Sequence, residues 1–137
     1  MRAKQALKFI RYNSIMKIVR SKSHKLAQDA PTVWAALAEF QNALREVYGV
    51  HAPAVLLYGS YARGEASADS DIDLILLYSR NIQPGQEIRQ VREILSDLNL
   101  NHQILISVLP VSKQNYKSAA TAFWKNVRRE AVSIDRD

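Results

Sequence analysis

Four residues near the middle of this 137-residue sequence have the types and spacing for chemistry on a phosphate: Gly59, Ser60, Asp71 and Asp73. Gly59 follows the short apolar run Ala54-Val55-Leu56-Leu57-Tyr58. A glycine directly after a strand lets the backbone approach phosphate oxygens, because no Cβ stands in the way. Ser60 adds a hydroxyl, and successive backbone N–H groups at the start of a helical turn make a nest for anions. Asp71 and Asp73 are two residues apart, so on a strand both carboxylates point to one face. Two such carboxylates repel unless a cation lies between them, and their hard oxygens suit magnesium, with water and phosphate oxygens completing the octahedron. A triphosphate at one end and a bridging metal at the other are the minimum apparatus for phosphoryl or nucleotidyl transfer. Arg63 has two readings of equal weight, a phosphate contact or an ion-pair partner for Glu65, Asp69 or Asp71. The plain structural reading of the four residues is a tight turn, a helix cap and two surface acids.

These side chains need elements to position them. Val33, Leu37, Phe40, Leu44 and Val47 recur at helical steps, which predicts a helix from about Pro31 to Tyr48. The run 54–58 reads as a buried strand, and residues 61–70 provide a helical turn and a loop. A second strand spans Asp71 to Tyr78, with Ile72, Leu74 and Leu76 on one side and the aspartates on the other. Pro84 and Gly85 break the chain before a helix that buries Ile88, Val91, Ile94, Leu95 and Leu98. A third strand runs from His102 to Val111, stopped by Pro110, and a last helix from Ser118 to Val132 buries Phe123, Trp124, Val127 and Ala131. Helices alternating with strands predict an α/β domain.

Bulk properties narrow the class. Hydrophobic residues make up 47% and charged residues 23%, ordinary for a globular chain of one domain. No apolar stretch reaches the ~20 residues of a membrane span. There is no cysteine, so disulfides and thiolate zinc sites are excluded, and a reducing, cytoplasmic setting fits. The net charge of +6 is local: residues 1–30 hold eight basic side chains and Asp29 as their one acid, while the other 107 hold 11 basic and 12 acidic. The sequence therefore divides into a basic tail, 1–30, and a nearly neutral domain, 31–137. The tail reads first as a solvated segment, with an acidic partner, nucleic acid or a transit peptide as its other readings. A neutral body speaks against nucleic acid as the main partner. His24, His51 and His102 are scattered without ligand spacing, which argues against a metal site built from them.

The stretch LYGSYARGEASADSDIDL, Leu57 to Leu74, resembles the signature of the minimal nucleotidyltransferase family, part of the polymerase-beta nucleotidyltransferase superfamily. The order of elements from about 31 to 132 agrees with it. The resemblance implies a small mixed sheet of three to four strands flanked by helices. It assigns nucleotide binding to Gly59 and Ser60, beside which Arg63 is the candidate phosphate contact, and metal binding and catalysis to Asp71 and Asp73, with ATP as substrate and Mg2+ or Mn2+ as cofactor. It also implies a partner, since members of the family pair with small helical HEPN-type toxins and neutralise them by binding or by adenylylating a tyrosine.

One departure matters. Complete members of the superfamily carry a third carboxylate on a later strand, and Ser107 stands at the aligned position, with no Asp or Glu from residue 98 to 129. Serine is a neutral, weak magnesium ligand. Nucleotide binding survives this loss more easily than activation of an acceptor hydroxyl. A tyrosine phenol, with a pKa near ~10, needs less help than a sugar hydroxyl. The expected function is magnesium-dependent transfer of AMP from ATP to a protein hydroxyl, with a HEPN-type toxin as acceptor. The runner-up is a nucleotide-binding module that neutralises its partner without chemistry, followed by a small-molecule nucleotidyltransferase.

Overall fold

A computed structural model of the protein describes residues 30–67 and 69–134. The basic segment 1–30 lies outside the described residues except for Ala30, which opens the first helix, α1 (Ala30–Tyr48). A 3-10 turn at Gly49–His51 leads to β1 (Ala54–Tyr58), and α2 (Gly59–Arg63) follows without a break. Then come β2 (Ile72–Tyr78), α3 (Pro84–His102), β3 (Ile106–Ser112), α4 (Lys113–Ser118), α5 (Ala122–Glu130) and β4 (Val132–Ser133). The strands form one mixed sheet in the order β3-β2-β1-β4, antiparallel except for the parallel pair β2 and β3. This is the α/β architecture expected, with four strands. No helix among the described residues is long and apolar enough to cross a membrane.

The sheet has two unequal faces. On the first, α1 and α3 bury Trp34, Leu37, Phe40, Leu44 and Val91 against Val55, Leu57, Ile72, Leu74 and Leu76. On the second, Ile75, Val111 and Val127 form a smaller cluster, edged by Leu56, Tyr58, Leu77, Leu109, Tyr116 and Trp124. Strand alternation puts Asp73 and Ser107 on this second, thinly covered face, with Ile75 and with Leu109 and Val111. β2 is central and fully buried at Leu74, Ile75 and Leu76, so the strand that carries Asp73 is the most constrained in the sheet.

Several expectations need correction. Val47 is 42% exposed; the buried stripe of α1 drifts in steps of four toward Tyr48, whose hydroxyl donates to Glu87 Oε2 at 2.7 Å. Pro84 does not precede the helix but starts it, where a missing N–H costs nothing. In α3, Ile88 is exposed while Glu87 is buried, because Tyr48 and Arg80 (Nη2 to Oε1, 2.7 Å) satisfy both its oxygens. The third strand begins at Ile106 rather than His102, since α3 runs on to His102 and Gln103 ends it in a left-handed conformation. Pro110 does not stop that strand. β3 is an edge, so an N–H missing on its open side removes no ladder bond. The last helix, expected from Ser118 to Val132, is the shorter α5, capped by Thr121, with the unexpected α4, capped by Ser112, before it and a short strand after it; Val127 is buried, Trp124 and Ala131 half-buried, and Phe123 45% exposed.

Candidate active site

The site is built where β1 ends. Tyr58 closes the strand, and Gly59 turns the chain into α2 with φ of +76°. A Cβ on Gly59 would run into the Asp73 carboxylate, with the Asp73 Cβ and Cγ at 3.3 Å. The glycine therefore serves both a backbone conformation and a close approach to the Asp73 carboxylate. Ser60 follows in the first turn of α2, half-buried, and its carbonyl accepts from the Glu65 N–H at 2.9 Å as the chain leaves the helix.

Asp71 is exposed and lies just before β2, while Asp73 is the second residue of the strand. Sheet register puts Asp73 opposite Tyr58 on β1 and opposite Ser107 on β3. The three residues form a row across the second face, and Ser107 is the nearest strand neighbour from which a third carboxylate would reach the pair. Burial raises the Asp73 carboxyl above its ordinary value, and the Asp71 charge raises it further, while Arg63 partly offsets both. The Tyr58 phenol is pushed up by burial and then by Asp73. Arg63 donates from Nε to Glu65 at 3.0 Å and from Nη1 to Glu130 at 3.3 Å. Its ion-pair reading is thus realised, although its charge still acts on Asp73.

The donor set fits a hard divalent cation. The Asp71 charge acts on the Asp73 carboxylate, which is held in a desolvated setting that disfavours its own charge, and Gly59 keeps the space over its oxygen open. Asp71 and Asp73 would hold the ion, which would screen their repulsion and draw in phosphate oxygens. Among the described residues no group of three or more His, Asp or Glu gathers as a metal site, so water and substrate would complete the coordination. His102 instead pairs with Glu39 at 3.1 Å. Two neighbours of the site were not foreseen. Glu130 holds Arg63 from α5, and its signal in the sequence was its place as the first acid after a long acid-free run. In the sequence Tyr58 shows only as the end of a buried strand.

A family model described as "Polymerase beta, Nucleotidyltransferase" matches residues 44–134. The chain belongs to the polymerase beta nucleotidyltransferase family. The resemblance read from Leu57–Leu74 is borne out, and the protein is a nucleotidyltransferase. That match contains Gly59, Ser60, Asp71, Asp73 and Ser107 and extends through β4. Two proteins of Methanocaldococcus jannaschii, provisionally named protein adenylyltransferases, are each 29% identical to this nucleotidyltransferase. One alignment covers 69% of this chain and 90% of the relative, the other 72% and 94%. Among solved structures, a toxin–antitoxin complex with AMP-PNP is similar at 17% identity and a TM-score of 0.49, over 72% of each chain. A provisionally named nucleotidyltransferase from Sulfolobus solfataricus is similar at 11% identity and a TM-score of 0.47, covering 90% of this chain and 84% of that one.

Proposed function

We propose that this nucleotidyltransferase moves AMP from ATP to a hydroxyl of a partner protein, using magnesium, and that the acceptor is a tyrosine of a HEPN-type toxin. The catalytic unit is assigned to residues 31–137. The observation that carries the reading is the row Tyr58–Asp73–Ser107, which pairs a metal-binding acid with a hydroxyl where a third carboxylate would stand. Gly59 and Ser60 receive the triphosphate. Asp71 and Asp73 hold the metal, which supplies charge neutralisation on the phosphate oxygens. The acceptor oxygen gives its proton to solvent water and attacks the α-phosphorus, the bond from phosphorus to the α–β bridging oxygen breaks, and pyrophosphate leaves. Ser107 cannot take the acceptor proton as a carboxylate would, so the acceptor must be acidic enough to lose it with little help, as a phenol is. The names of the two archaeal relatives agree with a protein acceptor.

The same serine favours a second reading, a nucleotide-binding domain that neutralises its partner by contact alone. Ser107→Asp separates the two. In a working transferase it is expected to raise transfer of α-phosphate label to the partner by about 100-fold, the lower end of what a positioned base contributes. It should also lower the melting temperature without magnesium, because a third clustered anion adds repulsion. If neither protein labels any partner yet both bind and neutralise it, the transferase reading fails and the binding reading replaces it.

A further inference from the structure

Four aromatic rings form a chain that starts at the catalytic row. Tyr58 meets Phe123 at 6.1 Å between centroids, Phe123 meets Trp124 at 5.1 Å, and Trp124 meets Tyr116 at 5.9 Å, all edge-to-face. Three of these residues are half-buried, but Phe123, in the first turn of α5, is 45% exposed. It packs against two ring neighbours, Tyr58 and Trp124, while much of it faces solvent. Tyr58 immediately precedes Gly59 and stands opposite Asp73 in the sheet. Phe123 is therefore one ring removed from the acid pair and lies on the same face of the sheet. A single exposed aromatic is unremarkable by itself. One held rigidly beside a phosphate-binding turn is different, because a pre-ordered ring loses little entropy when a flat ligand covers it.

We infer that Phe123 is the platform on which the nucleobase of the substrate stacks. The inference rests on the nucleotide site proposed above and extends it from the triphosphate to the base. With phosphates held at Ser60 and by the acid pair, the nucleoside lies over the second face, where α5 presents this ring. Every nucleobase has a π face, so an aromatic platform binds all of them and favours the larger purines. Stacking of this kind does not distinguish adenine from guanine. Phe123 contributes to affinity and to the choice of purine over pyrimidine, and it takes no part in bond making.

The test compares two ligands on the full chain with magnesium: a non-hydrolysable ATP analogue, which has a base, and inorganic tripolyphosphate, which has none. Phe123→Ala and Phe123→Leu are expected to weaken the analogue by about 5- to 150-fold, the usual worth of a stacked base. Tripolyphosphate should bind all variants equally, and Phe123→Trp should retain the analogue. Leucine keeps the apolar bulk without the π face, so it remains informative if alanine impairs folding. Unchanged analogue affinity in the leucine variant would overturn the platform. So would an equal loss of both ligands, which would give Phe123 a structural role. If the leucine variant keeps the analogue but loses labelling of a partner protein, the ring belongs to acceptor docking and the inference is wrong. Failure of the wild-type protein to bind either ligand would overturn the nucleotide site itself, and the platform with it.

Discussion

Gly59→Ala is expected to abolish nucleotide binding and to destabilise the domain by about 2–5 kcal/mol. Two costs add. A side chain at φ of +76° enters the left-handed region, worth roughly 1–2 kcal/mol. The new Cβ also meets the Asp73 carboxylate, and relieving such overpacking costs about 1–3 kcal/mol more. Asp73 must rotate away or β2 must shift, and either movement separates it from Asp71. Gly49 provides the control. It too has positive φ, +61°, but nothing lies within 4 Å of the position a Cβ would take. Gly49→Ala should therefore show only the backbone cost and leave binding intact. Denaturant unfolding and nucleotide titration of both variants check this. Equal effects on binding would mean that the contact with Asp73 is irrelevant to the site.

Asp73→Asn is expected to make the protein more stable and less active at once. Burial and Asp71 raise the folded-state pKa of Asp73 above its unfolded value, so the folded protein disfavours the ionised form. Below the unfolded pKa both states are protonated and no penalty exists. The penalty builds as pH rises through the window between the unfolded and folded values, and it is complete above the folded pKa. Asparagine removes it, so without metal the variant should melt higher than wild type at neutral pH, with the gain vanishing in acid. Transfer should fall by on the order of 100-fold or more, since even residues that only support a metal ligand are worth 10–100-fold. Asp71→Asn should cost activity similarly with a smaller stability gain, because Asp71 is exposed. A variant of Asp73 that is less stable than wild type at pH 7 would show that its carboxylate is a structural acceptor.

The core of this site is legible in the sequence because it is local. Gly59, Ser60, Asp71 and Asp73 lie within fifteen residues, and their roles follow from one turn and one strand start. Helix α1 and strands β1 and β2 were readable for a similar reason: their apolar periods are strong and their ends carry Gly or Asp. Ser107 could be aligned by counting along the third strand, but its place opposite Asp73 depends on parallel pairing of β2 with β3, a non-local fact. Pro110 misled because its meaning depends on whether the strand is an edge. Ile88, expected in the core, is exposed, and Glu87 is buried beside it because Tyr48 and Arg80 reach across from other elements to hold the carboxylate. The C-terminal region was the least legible. α4, α5 and β4 are short, their caps are ordinary serine and threonine, and Phe123 is exposed where periodicity alone would bury it. Arg63 pairs with Glu65, a partner legible in the sequence, and with Glu130, which only the packing of α5 brings to it.

Binding of ATP at fixed magnesium, measured by calorimetry on wild type and on the double variant Asp71→Asn, Asp73→Asn, tests the central claim most directly. Both substitutions preserve shape and remove charge, so a folded double variant with an intact first core is expected. Wild type is expected to bind ATP in a magnesium-dependent manner, and chelation is expected to reduce this affinity. In the double variant the magnesium-dependent part should disappear, leaving weak binding that chelation does not change. Identical magnesium-dependent affinity in the two proteins would contradict the account, because the metal and the triphosphate would then be held elsewhere.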